Sequence, residues 1–470
     1  MDYIPTIGIE VHVELKTKYK AFSDKLNTFG SIANKEANEI DMAYPGTLPT
    51  LNKEIFDIGI KCAKALNCKI NKYTYFDRKN YFYPDNSKGY QITQKHYPIG
   101  YNGYIEISNK KIYIEEIHLE EDTAKSFHNE SHSLLDFNRA GIPLIEIVSK
   151  PNIESGEEAV EYVETLREIL LYADISDAKI EEGSLRCDVN VSLRKNIEDS
   201  LNTKVEIKNI GSINSIKLAI KAEIKRQKEL LDKGETIIEQ TMRYSEEENK
   251  TILMRKKDSK EDYRYFPDPD IPSIFIDDKW IDSIKVPTLP NELRKKYRSF
   301  NINEIGINAL ITHKDLNEYL DKTIKLGSDP IITANLLTGD ILFYLNKNNI
   351  NIKDTKLTYE SLNILVNKLK TNEISSKISK MIIPILLSTG KNIDKIIEEE
   401  NLSIITNEAE INKIVDNILS INNEFIVKNK TNKDRLEKYL MGQTMKETKG
   451  KIDPIITKKI LNNKLNNLNI

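Results

Sequence analysis

Three short stretches of this chain put ionisable residues where ordinary core or surface segments do not. Residues 8–15 read GIEVHVEL. On a strand, successive side chains point to opposite faces. Ile9, Val11, Val13 and Leu15 then form an apolar face, and Glu10, His12 and Glu14 a polar one. Two acids flanking an imidazole suit a divalent cation or proton transfer; the plainer alternative is an edge strand with incidental polar residues. In GIPLIEIVSKP, Glu146 lies inside the apolar run from Ile142 to Val148. A buried, unpaired carboxylate is costly, so Glu146 needs an Arg or a metal as partner. EIHLEED sets Glu120, Glu121 and Asp122 after His118. Alone, that triplet reads as a solvated turn. Beside Glu10, His12 and Glu146 it completes a hard-cation site of carboxylate oxygens with one imidazole, a set that fits magnesium better than zinc.

Further stretches extend this chemistry. In SLRCDVNVSLR, Leu185, Cys187, Val189, Val191 and Leu193 alternate with Arg186, Asp188, Asn190, Ser192 and Arg194. The second set has the composition of a site wall, although a surface strand could share it. FDRKNYFYPDNSKGYQITQ gathers Arg78, Lys79 and Lys88 with Phe76, Tyr81, Phe82, Tyr83 and Tyr90 in a loop-like segment. Cations beside aromatic rings suit a phosphate and a base or sugar. DYRYFPDPDIP repeats the theme with Asp262, Arg264, three aromatics, Asp268 and Asp270.

The elements that must position these residues follow from composition and pattern. A chain of 470 residues has room for roughly three domains. Its 39% hydrophobic and 30% charged content fits a globular protein. No apolar run approaches the roughly 20 residues needed to span a bilayer, and the N-terminus resembles no targeting signal. Three cysteines cannot build a disulfide framework and suit a reducing, cytoplasmic setting. Five of six His and 17 of 22 Tyr precede residue 290, as do the alternating strands. Two helices are interleaved with them. GEEAVEYVETLREILLYA has Val160, Val163, Leu166 and Ile169 in a stripe behind a Ser155/Glu158 capping box, and a second helix covers about 215–233, stopped by Gly234. Strands and helices without a regular βαβ alternation predict an α+β fold. VPTLPNELRKKY reads as a linker. Helical patterns follow it, then a small helical tail from about residue 406. From Lys428 to Ile470 there are 11 Lys or Arg and 4 Asp or Glu, a net of +7 that suits a phosphate-rich partner. No two of the 18 glycines are two residues apart and neither Gly-Lys pair precedes Ser or Thr, which excludes Rossmann and P-loop motifs.

At these residues the sequence resembles the B-subunit family of the tRNA-dependent amidotransferases. The matching stretches are GIEVHVELKT, FDRKNYFYPDNSKGYQITQ, HLEEDTAKS, DFNRAGIPLIEIVSKP, EEGSLRCDVNVSLR, KTILMRKKDSKEDYRYFPDPDIP and GQTMKETKGKIDP, in one order along the chain. The resemblance implies a mixed α/β cradle domain over residues 1–290 for ATP, magnesium and the aminoacyl end of tRNA. It implies a helical domain over 291–405 and a tRNA-binding tail over 406–470. It implies a carbon–nitrogen ligase that phosphorylates the side-chain carboxylate of misacylated Glu-tRNA(Gln) or Asp-tRNA(Asn) and amidates it. The ammonia would come from glutamine hydrolysed by an amidase A subunit, in a heterotrimer with a small C subunit. By the family pattern His12, Glu121 and Glu146 match the magnesium ligands, and Glu10 and Glu120 line the same site. Arg186, Asp188 and Asn190 stand nearby, and Lys79, Tyr81 and Lys88 are candidates for nucleotide or acceptor-end contacts. Some members carry four zinc cysteines where this chain has Ser23, Lys25, Asn38 and Asp41, so no structural zinc is expected. NIGS and EQTMR also depart from common family wording. A non-catalytic tRNA-binding scaffold is the alternative, disfavoured by the intact acid and imidazole set. A self-sufficient amidase is disfavoured because no Ser/Lys amidase signature is present.

Overall fold

A computed structural model describes residues 3–108, 110–196, 198–256, 263–403, 405–429, 432–448 and 450–467. Asp262 lies outside them. The chain divides into two compact units, Met1–Pro290 and Asn291–Ile470.

The first unit is built on a twelve-stranded sheet. In chain order its strands are β1 (Ile4–Glu14), β2 (Lys69–Ile70), β3 (Asp77–Asn80), β4 (Tyr90–Thr93), β5 (Gly100–Glu106), β6 (Lys111–Glu121), β7 (Pro143–Ser149), β8 (Leu185–Arg194), β9 (Val205–Lys208), β10 (Gln240–Ser245), β11 (Lys250–Lys256) and β12 (Phe266–Pro267). The main path runs β11-β10-β9-β8-β1-β7-β6-β4-β3-β12, with β5 pairing β6 and β2. All pairs are antiparallel except β9–β10. The strand carrying GIEVHVEL is therefore central, between β8 and β7, and the edge-strand alternative falls.

Alternation decides what each face does. Ile9, Val11 and Val13 are fully buried, as are Val189 and Val191 of β8. Burying each such side chain contributes roughly 1.5–3 kcal/mol. They share one core with Tyr162, Val163 and Leu166 of helix α2 (Gly156–Tyr172) and Ile216, Ala219 and Ile220 of α3 (Ile213–Asp232), with α1 (Glu54–Ala65) contributing Ile60 and Ala63. The apolar stripe of α2 is offset from the sequence expectation: Ala159 and Tyr162 are buried, and Val160 sits at the margin. Ser155 caps α2 by accepting from Glu158 N, and the Glu158 carboxylate reaches back to Glu154 N rather than to the cap residue. Gly234, at φ +80°, follows the end of α3.

Two expectations are corrected. The FDRKNYFYP…QITQ stretch is a β-hairpin, with Lys79 opposite Gln91 across β3 and β4, because its residues alternate as well as crowd. The expected linker is shorter than VPTLPNELRKKY, because Pro290 opens a helix, Pro290–Ser299; proline at a first helical position lacks only an N–H that would be unpaired anyway.

The second unit is helical. Its elements include Lys314–Lys325, Tyr359–Lys370 and Ser376–Thr389. Glu408–Ile421, Lys433–Glu447 and Pro454–Asn467 enclose a core of their own with Ile411, Val415, Leu436, Leu440 and Leu461. No helix among the described residues is long and apolar enough to cross a membrane.

Candidate catalytic site

The face of the sheet opposite α2 and α3 carries the polar half of each alternating strand. Register puts four of these residues in one row: Arg186 opposite His12, His12 opposite Glu146, and Glu146 opposite His118. His12 Nε2 lies 3.4 Å from Glu146 Oε2 and 3.6 Å from Glu120 Oε1. One ligand atom from each of His12, Glu120 and Glu146 falls within 4.8 Å of the others. The opposing strands are held by their own ladders, so the row is preorganised.

Glu121 does not join this cluster, contrary to the family-based expectation. It neighbours Glu120 on β6, and adjacent strand residues point to opposite faces. Its carboxylate pairs with the Lys88 ammonium and accepts from Ile92 N at 3.0 Å. Lys88 is thereby committed to Glu121. Glu120 takes the place expected for Glu121, since residues 116, 118 and 120 share the face of Glu146.

Among the described residues, Glu146 is faced by two imidazoles rather than an Arg. His118 Nε2 donates to Glu146 Oε2 at 2.8 Å. The sequence reading leaves His118 out of the site, although alternation along EIHLEE already puts it on the face of Glu120. Burial alone would push His12 down; the carboxylates of Glu146, Glu120 and Asp188 outweigh it and raise it to about 9. His118 is raised for the same reason, against burial, by Glu146, Glu120 and Glu116. Burial raises Glu146, but the two imidazoles hold it well below the ordinary carboxylate range. Glu120 is pushed up by burial and by Glu146, and Glu10 by the same two causes. The cluster is thus an excess of carboxylate partly met by imidazole, the electrostatics a cation site needs.

The remaining expected residues fall around it. Asn190 Nδ2 donates to Glu10 Oε1 at 2.8 Å, while Asn190 Oδ1 is buried without a hydrogen-bond partner among the described residues. Asp188 pairs with Lys208, which also lies 3.0 Å from Glu206. Glu206 and Lys208 of β9 are functional candidates that the sequence reading passes over, although KVEIKN alternates as clearly as SLRCDVNVSLR. Arg186 Nη2 donates to Asp122 Oδ2 at 2.7 Å. Tyr81 Oη lies 3.4 Å from Gln91 Oε1. Among the described residues Lys79 Nζ has no ion-pair or hydrogen-bond partner; it stands 5.1 Å from the centre of the Tyr263 ring. Burial would lower Lys79, but Glu120, Tyr265 and Glu146 raise it and keep it charged. The DYRYFPDPDIP segment pairs with the hairpin: Arg78 donates to Asp268 at 2.8 Å and Asp270 at 2.6 Å, beside the β3–β12 pair.

Three of the four residues expected in place of zinc cysteines, Ser23, Asn38 and Asp41, join Lys20 in a polar knot. Buried Lys20 contacts Asp41 at 3.0 Å, Ser23 Oγ donates to the same carboxylate at 2.9 Å, and Asn38 N donates to it at 3.2 Å. Gly141, at φ +77°, passes so close that a Cβ there would lie 2.9 Å from Asp41 Oδ1.

Comparison with known proteins completes the assignment. Residues 5–282 match the GatB/GatE catalytic domain. The chain belongs to the GatB/GatE family. Residues 318–465 match the GatB domain as well. The chain is 44% identical over 474 residues to the aspartyl/glutamyl-tRNA(Asn/Gln) amidotransferase B subunit of Geobacillus thermodenitrificans, covering 99% of this chain and 100% of that one. It is 44% identical over 476 residues to the protein of the same name from Staphylococcus aureus strain JH9, covering 99% of each. The Shouchella clausii protein of that name is 43% identical over 473 residues, covering 98% of each. This GatB/GatE member therefore matches its relatives over nearly their whole length.

Proposed function

We propose that this chain activates and amidates the side-chain carboxylate of misacylated Glu-tRNA(Gln) or Asp-tRNA(Asn) as the B subunit of a tRNA-dependent amidotransferase. The observation that supports this most directly is the His12–Glu120–Glu146 cluster on the polar face of the first unit. The names of the full-length relatives support the substrate class.

A carboxylate is a poor electrophile because its negative charge repels nucleophiles and oxide is a poor leaving group. A side-chain carboxylate oxygen takes the γ-phosphoryl group of ATP and releases ADP. Ammonia then attacks the acyl carbon and phosphate departs, leaving the amide. One imidazole nitrogen and two carboxylates with open positions fit a hard cation that keeps several waters, so His12, Glu120 and Glu146 would hold magnesium, with Glu10 close by. When bound there, the ion neutralises charge on the transferring phosphoryl group. Lys79 supplies a further, uncommitted positive charge beside the same carboxylates. Tyr81 and Lys88 border the path to it, and Arg186, Asp188 and Asn190 wall the other side. The ammonia comes from glutamine hydrolysis in a partner amidase A subunit, with a small C subunit bracing the complex. Residues 1–290 act as the cradle, 291–405 as a helical domain, and the basic end of 406–470 holds tRNA away from the reacting carboxylate.

The test is ATP-dependent amidation by the assembled complex, with Glu-tRNA(Gln) and Asp-tRNA(Asn) offered separately. Phosphate release coupled to amide formation on at least one is expected. Binding of tRNA without phosphate release on either would establish the non-catalytic scaffold instead.

A further inference from the structure

Past the cation cluster, the polar face opens into a cavity of about 380 Å³ lined by Glu14, Ser184, Arg186, Arg139, Phe29 and Phe127 among others. The cavity and the cluster share a wall, because Arg186 stands opposite His12 in the β1–β8 register. Glu14 follows His12 by two residues on the same face of β1.

Most charged groups around the cavity have partners; Lys125 stands 4.9 Å from the centre of the Phe127 ring. Arg186 donates to Asp122 at 2.7 Å, and Arg139 lies 3.4 Å from the same carboxylate. Lys16 pairs with Asp174 at 3.0 Å and Asp177 at 3.5 Å. Among the described residues, nothing donates a hydrogen bond to the half-buried Glu14 carboxylate, and no cation lies within ion-pair distance of it. A desolvated carboxylate without a partner is unfavourable unless a cation arrives.

We propose that Glu14 receives the α-ammonium group of the aminoacyl substrate whose side-chain carboxylate lies at the His12–Glu120–Glu146 cluster. This rests on the function proposed above and adds recognition of the free α-amine. The spacing suits it. Residues two apart on a strand are separated by about 6.8 Å. The γ-carboxyl carbon of a glutamyl group lies roughly 5 Å from its α-nitrogen across four bonds of about 1.5 Å, and that of an aspartyl group one bond nearer. With its carboxylate at the cluster, the substrate's ammonium lies within hydrogen-bond reach of the Glu14 side chain. The ester end then leaves through the open side of the cavity, past Phe29 and Phe127, both exposed.

The test compares Glu-tRNA with N-acetyl-Glu-tRNA in the assembled complex, reading ATP-dependent phosphate release. Acetylation removes the α-charge and keeps the tRNA and the side-chain carboxylate. In the wild-type complex it should raise KM roughly 10- to 100-fold, the range for a hydrogen bond to a charged group. Glu14→Gln should raise KM for the unblocked substrate by a similar factor, leave kcat at saturation nearly unchanged, and cause no further loss with the acetylated one. Should Glu14→Gln fold poorly, Glu14→Asp keeps the charge but retracts it, and should raise KM for the unblocked substrate alone. Equal KM for the two substrates in the wild type, or equal loss on both in either variant, overturns the Glu14 assignment and leaves the proposed function standing. No phosphate release from the wild-type complex with either substrate overturns both.

Discussion

Replacing Glu146 with Gln keeps the side-chain volume and removes the charge on which two imidazoles converge. In the wild type His118 Nε2 donates to Glu146 Oε2 at 2.8 Å, and His12 Nε2 lies at 3.4 Å. The first is a charge-assisted hydrogen bond, a class that contributes about 1.5–3 kcal/mol. The amide retains an oxygen that can accept from His118, so the loss should fall in that range, below the roughly 3–5 kcal/mol of a buried pair broken outright. At about 2–4 °C per kcal/mol, the melting temperature should drop by roughly 3–12 °C. The pH dependence is more discriminating. His12 is raised from 6.5 to about 9, chiefly by Glu146 once burial is overcome. A raised imidazole contributes stability that is fully present below pH 6.5 and lost as pH rises through about 9. In chelator-treated protein the gap between wild type and Glu146→Gln should therefore be widest near pH 6 and narrow toward pH 10. Calorimetry at both ends reads it directly, and a gap that is constant or widens with pH would refute the electrostatic reasoning. The second arm titrates magnesium against phosphate release with Glu-tRNA. A ligand role predicts a large increase in the magnesium required, while glutamine hydrolysis by the partner without tRNA is little changed. Near-normal release at ordinary magnesium, in a variant that melts earlier, would make Glu146 purely structural.

Three further outcomes are expected. Burial and the neighbouring Asp122 raise Glu14 to about 7, so its contribution is present below pH 4.5 and lost as pH rises through 7. Glu14→Gln should then stabilise the chelator-treated protein at pH 8 by up to about 3 kcal/mol and change little at pH 4.5; melts that shift equally at both would contradict this. Lys20→Met strands the buried Asp41 carboxylate and should cost about 3–5 kcal/mol in urea unfolding, part of it recovered by adding Asp41→Asn; a loss under 1 kcal/mol would mean that Ser23 and Asn38 suffice. Deleting residues 406–470 should raise KM for aminoacyl-tRNA more than it lowers kcat, and should flatten the salt dependence; an unchanged salt slope would assign the tail another task.

Much of the cradle is legible in the amino-acid sequence because a strand's period is short and strict. Alternation in GIEVHVEL and SLRCDVNVSLR separates Ile9, Val11, Val13, Val189 and Val191 from Glu10, His12, Asp188 and Asn190, and the folded chain keeps those two sets on opposite faces. The same rule, applied to EIHLEED, pairs Glu120 with His118 and turns Glu121 away; assigning Glu121 from the family pattern sets that rule aside. The helix cap at Ser155 and the stop at Gly234 are local and equally readable. What no local pattern carries is which strands become neighbours. The row Arg186–His12–Glu146–His118 joins residues 12, 118, 146 and 186, and only hydrogen-bonded register across four strands brings them together. Nor can the sequence say that Glu146 meets imidazoles rather than an arginine, that Lys88 is taken by Glu121, or that Glu14 is left without a partner among the described residues. Each depends on which charges a fold brings within a few ångströms and which it leaves facing a cavity, and Coulomb energies at that range change with every ångström of placement.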